Sequence, residues 1–216
     1  MAIVAGVDGI PGGWVSVLLD DAGFAGAIVL KPADTSFTEL AGARVIGIDI
    51  PIGYGPREAD RQARKILGPC RGSSRVFTIP TRQVLENALS EGTYRAGLGL
   101  SAQTFHIGER MRDVSALAAR DKRLYEVHPE ISFRAMKGAC LDHPKDTYGG
   151  FEERKRLLHS NGIRLRISGE VARVGVNDVL DAAAAAWSAR RIAAGEASSL
   201  PDPPQRAGNR DVAIWY

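Results

Sequence analysis

Two short apolar runs, each with an aspartate at or near its end, are the strongest constraint on the fold of this chain. Residues 3–7 lead directly into Asp8, and residues 44–50 are apolar apart from Arg44 and Asp49. Runs of this kind are typical of buried strands. A carboxylate in such a strand costs several kcal/mol unless it reaches the rim of the sheet or meets a cation. We therefore expect both aspartates at a sheet edge, close to positive charge.

The segments between these runs predict a mixed sheet. A turn at residues 9–13 makes a hairpin of the first two strands, and a short helix then returns the chain to the strand at residues 44–50. The predicted elements are strands at Trp14–Leu19 and Ala25–Leu30 and a helix at Thr35–Ala41. A right-handed crossover of this kind makes the two aspartate-bearing strands adjacent and parallel. Asp8 and Asp49 would then share the carboxyl edge of the sheet, where α/β folds place their sites.

The rest of the chain predicts helices around this sheet. Periodicity and end signals give helices at Glu58–Leu67, Gln83–Leu89, Gln103–Arg120, Phe151–Asn161 and Val179–Ala194, a strand at Arg123–His128 and an extended tail after Ser198. Residues 53–104 are punctuated by glycine and proline and are interpreted as an insertion. The whole chain, residues 1–216, is predicted to be a single α/β domain with a mixed sheet flanked by helices.

Other acids could join the strand-end pair. Glu126 lies near the end of a predicted strand, although a salt bridge with Arg123 is an equally good explanation. Asp178 and Asp181 share one face of the last helix, where they could simply stabilise the helix dipole. The small side chains of Ala182–Ala186 would let this helix approach the sheet closely. Carboxylates held together repel unless a cation lies between them, and Mg²⁺ or Mn²⁺ prefers such oxygen ligands.

Positive charge is concentrated in one segment. Residues 57–82 carry seven basic residues against two acidic ones, a local net charge of +5, whereas the whole chain carries +3. Arginine suits phosphate oxygens, so this segment is predicted to contact phosphate, although its arginines could instead pair with the acids of the site. The candidate substrate-binding residues are Arg71, Ser73, Ser74, Arg75 and Arg82, together with His128 and Glu130 from a later motif.

Five motifs in order resemble those of the domain-of-unknown-function 429 family. They are GVDGIPGGWV, IGIDIPIG, RGSSRVFTIPTR, YEVHPEISF and DVLDAAAAAWSARR. The family is described as predicted nucleases with an RNase H-like fold. The resemblance implies a site made of Asp8, Asp49, Glu126 or Glu130, and Asp178 or Asp181. The only acid on the first short helix is Glu39. Either Glu39 or Glu126 would therefore be the remaining carboxylate of this site.

These observations predict a metal-dependent nuclease that hydrolyses phosphodiester bonds of DNA or RNA with two Mg²⁺ or Mn²⁺ ions. The expected catalytic residues are Asp8, Asp49, Glu126 and Asp181, and the expected metal ligands are Asp8, Asp49, Asp178 and Asp181. One alternative is an ATP-binding phosphotransferase of the actin and sugar-kinase kind, which has a similar turn after its first aspartate. The chain lacks the second copy of that turn which this class requires. Another alternative is a non-catalytic binding module.

The cysteines and the apolar runs predict the cellular setting. Cys70 and Cys140 lie far apart and outside any metal-binding spacing, so both are expected to be reduced thiols. No run of 18 apolar residues occurs, and the N-terminal run is interrupted by Asp8. A cytoplasmic protein without a membrane segment is therefore expected.

Overall fold

A computed structural model of the protein describes residues 3–31, 37–70, 76–97, 99–207 and 210–216. Five strands form one sheet: β1 (Ile3–Ile10), β2 (Gly13–Asp20), β3 (Gly23–Leu30), β4 (Ala43–Ile48) and β5 (Leu124–Glu126), in the order β3-β2-β1-β4-β5. β1, β2 and β3 are antiparallel neighbours, whereas β4 is parallel to both β1 and β5. The mixed sheet and the parallel pairing of the two aspartate-bearing strands are confirmed, and the architecture is consistent with an RNase H-like fold.

Helices cover both faces of this sheet. They are α1 (Glu58–Leu67), α2 (Arg82–Glu91), α3 (Ala102–His106), α4 (Gly108–Ala118), α5 (Pro129–Lys137), α6 (Tyr148–Ser160) and α7 (Val176–Ala194). Side chains of α2 and α4 pack with one face of β1 and β4, and those of α5, α6 and α7 pack on the other. The sheet is thus the middle of three layers.

Several predicted boundaries are wrong for local reasons. The helix expected at residues 103–120 is interrupted at Ile107, which separates α3 from α4. The strand expected to run to His128 ends at Glu126, and α5 begins at Pro129, a residue suited to the first turn of a helix. Of the helix expected at residues 35–41, the described part is a single 3₁₀ turn, Thr38–Leu40.

Helix α7 lies unusually close to the sheet because two glycines face it. Gly6 of β1 and Gly47 of β4 are paired in register. A Cβ atom on Gly6 would lie 2.0 Å from the backbone nitrogen of Ala186, and one on Gly47 would lie 2.6 Å from the carbonyl oxygen of Ala185. The alanine-rich helix and the glycine pair together permit backbone-to-backbone packing, which confirms the predicted close approach.

We expect Gly6→Ala to lower the free energy of unfolding by about 1–3 kcal/mol or more, because the new methyl group meets helix backbone that cannot rotate away. At roughly 2–4 °C per kcal/mol, circular dichroism would show a clear loss of Tm. Gly26→Ala on β3 is the matched control, since nothing lies within 4 Å of its added Cβ. Equal melting temperatures for the two variants would contradict the close packing.

The expectation of two reduced cysteines is wrong in this structure. Cys70, just after α1, forms a disulfide with Cys140, which follows α5, and their Cα atoms are 5.0 Å apart. The two residues are 70 positions apart in sequence. Their proximity comes from the packing of α1 against α5, which no cysteine spacing reveals.

The C-terminal tail is extended, as expected, but it forms a hairpin of its own. β6 (Ser199–Ala207) pairs with β7 (Arg210–Trp215), and Trp215 makes a parallel bridge to Val127 beside the main sheet. Leu200 and Ile214 of this hairpin pack with α1 and α5 in a separate small core. In the described ranges, no helix has both the length and the apolar character needed to span a membrane.

Candidate metal centre

Three aspartates meet at the carboxyl edge of the sheet, on the face covered by α7. Side chains alternate along a strand, so Asp8 shares the face of Gly6, and Asp49, which follows β4, continues the row of Gly47. The backbone amide of Asp49 donates to the carbonyl oxygen of Val7 at 2.9 Å, which continues the strand pairing to this point. Asp181 comes from the second turn of α7.

One carboxylate oxygen from each of Asp8, Asp49 and Asp181 lies within 4.8 Å of the others. We call these three residues the aspartate cluster. Asp181 is 5% exposed, whereas Asp8 and Asp49 are partly open to the adjacent cavity. The prediction that Asp8 and Asp49 would lie together is confirmed by this geometry. It also identifies Asp181 as the acid of α7 that joins them.

Burial and mutual repulsion raise the pKa of all three carboxyls. For Asp8 the causes are burial first, then the charges of Asp49 and Asp181. For Asp49 burial again leads, and the charge of Asp181 adds to it. Burial also raises the pKa of Asp181, although Lys145 opposes the shift. The cluster therefore disfavours its own ionised form and would be relieved by a bound cation.

We expect Asp49→Asn to stabilise the metal-free protein at pH 7 by on the order of 1 kcal/mol. Because folding raises the pKa of Asp49, its contribution to stability is fully present below about pH 4 and is lost as the pH rises through the folded pKa. Asparagine has no such dependence. Melting curves in EDTA from pH 4 to 8 should thus show the variant gaining on the wild type with increasing pH. The opposite trend would contradict the repulsion.

The cluster opens into a cavity of about 740 Å³. Its lining includes side chains that can donate hydrogen bonds beside the acids: Arg57, Gln103, Arg110, His128 and Lys145. A cavity that combines carboxylates with arginine and lysine suits an anionic ligand bound through a cation.

Glu126 lies next to the cluster but on the opposite side of the strand layer. Leu124, two residues earlier on β5, packs on the side of the sheet that α2 and α4 cover. Glu126 therefore points to the same side, because alternate residues of a strand share a face. Its carboxylate accepts from Arg57 at 2.6 and 2.8 Å and from the amide of Ile52 at 2.7 Å. Asp60 binds the same guanidinium. Glu126 thus holds the segment that follows Asp49, and its salt bridge is with Arg57 instead of Arg123.

Sequence reasoning missed two cations of the site. Lys145, in the connection between α5 and α6, places its Nζ atom 3.1 Å from the carboxylate of Asp181. Arg110 of α4 donates to the carbonyl oxygen of Ile10 and lies 5.3 Å from the centre of the Trp14 ring. A lone lysine between helices and an arginine on an amphipathic helix look like surface residues in sequence, so only the fold reveals them.

The remaining acids named from the sequence lie outside the cluster. Asp178 is one turn before Asp181 and is half-buried, and its charge contributes to the raised pKa of Asp8. Glu130 lines the cavity from the first turn of α5 and accepts from Arg154 at 2.7 Å. Glu39 is exposed and precedes β4, so the length of that strand separates it from Asp49.

The residues named for substrate contact have different surroundings. His128 lines the cavity at the start of α5. Arg82 begins α2 with a largely exposed side chain, 3.7 Å from Glu86, and is not part of the cavity lining.

The other residues named for substrate contact lie outside the described residues: Arg71, Ser73, Ser74 and Arg75. Within the basic segment, Arg57 pairs with Glu126, as the alternative of pairing with the acids of the site predicts. Arg64 instead donates to two backbone carbonyls.

Comparison with known proteins identifies a family and no activity. No curated protein and no solved structure matches this chain. A family model described as "Protein of unknown function (DUF429)" matches residues 6–206. That range includes all three members of the aspartate cluster and nearly the whole length of the described fold. The chain therefore belongs to the DUF429 family.

Proposed function

We propose that this protein is a divalent-metal-dependent nuclease that hydrolyses phosphodiester bonds. The observation that carries the proposal is the aspartate cluster: three carboxylates from separate elements converge within 4.8 Å at the carboxyl edge of the sheet. Their convergence depends on glycines that allow α7 to approach the sheet. A purely structural role would not require three like charges to be brought together in a partly buried place.

The cluster fits a hard divalent cation. Mg²⁺ and Mn²⁺ take carboxylate oxygens, and ligands around one Mg²⁺ lie about 3–4 Å apart, a spacing that small side-chain rotations would reach here. No hydrogen bond from the described residues reaches the Asp49 carboxylate, so it is available as a ligand. The Asp8 carboxylate accepts one from the amide of Gly9 at 2.7 Å, which favours its ionised form. When bound, such an ion supplies Lewis-acid activation of water and neutralises charge on a phosphodiester.

The residues of the cavity account for the rest of the reaction. Arg110 is held by the Ile10 carbonyl and the Trp14 ring, and it is therefore oriented to bind a phosphate oxygen. Asp8 and Asp49 orient the attacking water. The oxygen of this water forms the new bond to phosphorus while one of its protons passes to solvent, the bond to the 3′ oxygen of the substrate breaks, and a proton from solvent completes the leaving hydroxyl. Glu126 and Arg57 act at a distance by fixing residues 52–57 behind Asp49.

Cleavage of labelled oligonucleotides tests the proposal directly. The purified protein with Mn²⁺ or Mg²⁺ should cleave at least one substrate from a panel of single- and double-stranded DNA and RNA. EDTA should abolish the cleavage, and added Mn²⁺ should restore it. Metal binding without cleavage of any substrate would instead favour a non-catalytic binding module, and stabilisation by ATP would favour a phosphotransferase.

A further inference from the structure

Lys145 lies in a defined position beside the aspartate cluster. Its Nζ atom lies 3.1 Å from Oδ2 of Asp181, and its side chain is 31% exposed. The cluster carries three negative charges when ionised. The ammonium group matches one of them, and the two that remain match a single divalent ion.

The segment that carries Lys145 is firmly attached to α6. The backbone amides of Asp142 and His143 donate to Glu153 at 3.0–3.1 Å, and Thr147 caps the helix through the amide of Gly150. A Cβ atom on Gly150 would lie 1.9 Å from the carbonyl oxygen of Pro144, so the segment packs directly on the helix backbone. Lys145 is therefore held beside Asp181 by its backbone as well as by its charge.

Acids that could help to bind a second ion are already occupied. Both oxygens of Glu126 and both oxygens of Asp60 accept from Arg57. Glu130 accepts from Arg154, and Asp146 accepts from the side chain of Asn177 at 3.1 Å. Asp178 does not belong to the group of converging oxygens. A second divalent ion would therefore need Asp181, whose Oδ2 atom is in contact with Lys145.

We infer that Lys145 takes the place of one of the two ions expected from the sequence, so that the protein without substrate binds one divalent ion, held by Asp8 and Asp49. This inference rests on the proposed metal site and adds its stoichiometry. Lys145 is then the fixed cation on the Asp181 side of the bound ion. It lies within the same cavity as Arg110, where it can contact a phosphate oxygen of the substrate.

Mn²⁺ binding to the full-length protein tests this assignment. Equilibrium dialysis should give one Mn²⁺ per wild-type chain, with the electron paramagnetic resonance signal of an isolated ion. Lys145→Met should free Asp181 and bind two Mn²⁺ with the spectrum of a coupled pair, since ions of a two-metal site lie about 3.5–4 Å apart. Lys155→Met is the matched control, because Lys155 is exposed and pairs with Glu152; it should keep one ion.

The outcomes separate the inference from the proposed function. Two coupled ions in the wild type, or one ion in Lys145→Met, would overturn the role of Lys145 while leaving the metal site in place. No Mn²⁺ binding by the wild type would overturn both. If Lys145→Met fails to fold, the stoichiometry and spectrum of the wild type still decide, and Lys145→Arg, which keeps the charge, should retain a single ion.

Discussion

Asp8→Asn is expected to reduce metal-dependent cleavage by about 10³-fold or more, which corresponds to roughly 4 kcal/mol of transition-state stabilisation. Asp8 is the member of the cluster that lies on β1, between the glycine pair and the turn at residues 11–12. Asparagine keeps the shape but removes the negative charge that holds a divalent cation. The rate of oligonucleotide cleavage and the affinity for Mn²⁺ should both fall.

Asp178→Asn is the matched control for this substitution. Like Asp8→Asn, it removes one negative charge. Asp178, however, lies on α7 one turn before Asp181 and is not one of the residues whose carboxylate oxygens converge. We expect cleavage to change by less than about tenfold, since only a longer-range charge effect is lost. Full activity in Asp8→Asn would reveal a contaminating nuclease. A larger loss in Asp178→Asn than in Asp8→Asn would place the metal nearer the start of α7.

Arg57→Leu is expected to lower the free energy of unfolding by about 3–5 kcal/mol, because it leaves two buried carboxylates without their shared partner. Arg57, Asp60 and Glu126 are only 6%, 3% and 5% exposed. At roughly 2–4 °C per kcal/mol, the expected loss of Tm is on the order of 10 °C. Thermal and urea unfolding at neutral pH would measure both quantities.

Arg61→Leu, one turn further along α1, provides the comparison. Arg61 pairs with Glu58 at the surface, where solvent screens the two charges, so this variant should melt close to the wild type. Arg57→Lys should fall between the two, since lysine keeps the charge but cannot contact both carboxylates with a planar fork. If Arg57→Leu and Arg61→Leu melt together, the buried network does not stabilise the fold.

The sequence predicted the centre of this molecule better than its margins. Asp8 and Asp49 follow apolar runs that leave little choice but adjacent parallel strands, and Ala182–Ala186 has side chains so small that close packing is the natural use for it. These are local patterns with one good structural solution. The acids of α7 remained ambiguous because helical spacing puts Asp178 and Asp181 on one face, and only the position of the helix decides between them.

The rest depended on contacts between distant segments. Glu126 belongs to the same motif as His128, yet the alternation of side chains along β5 turns it toward Arg57. Lys145 lies in a connection with no periodicity of its own. The pairing of Cys70 with Cys140 reflects how α1 and α5 pack. In each case the partner is far away in sequence, so a single sequence without its fold could not supply it.

The glycine pair sets the distance between α7 and the sheet. That distance in turn decides how close Asp181 lies to the other two carboxylates of the candidate metal centre. Gly6 and Gly47 lie two residues before Asp8 and Asp49 in the chain, and α7 packs directly on these glycines. Any side chain added there would push Asp181 away from its two partners by about the width of a methyl group. Attempts to engineer a more stable protein should therefore leave this interface unchanged and work at positions such as Gly26 of β3, where nothing lies within 4 Å of an added Cβ atom.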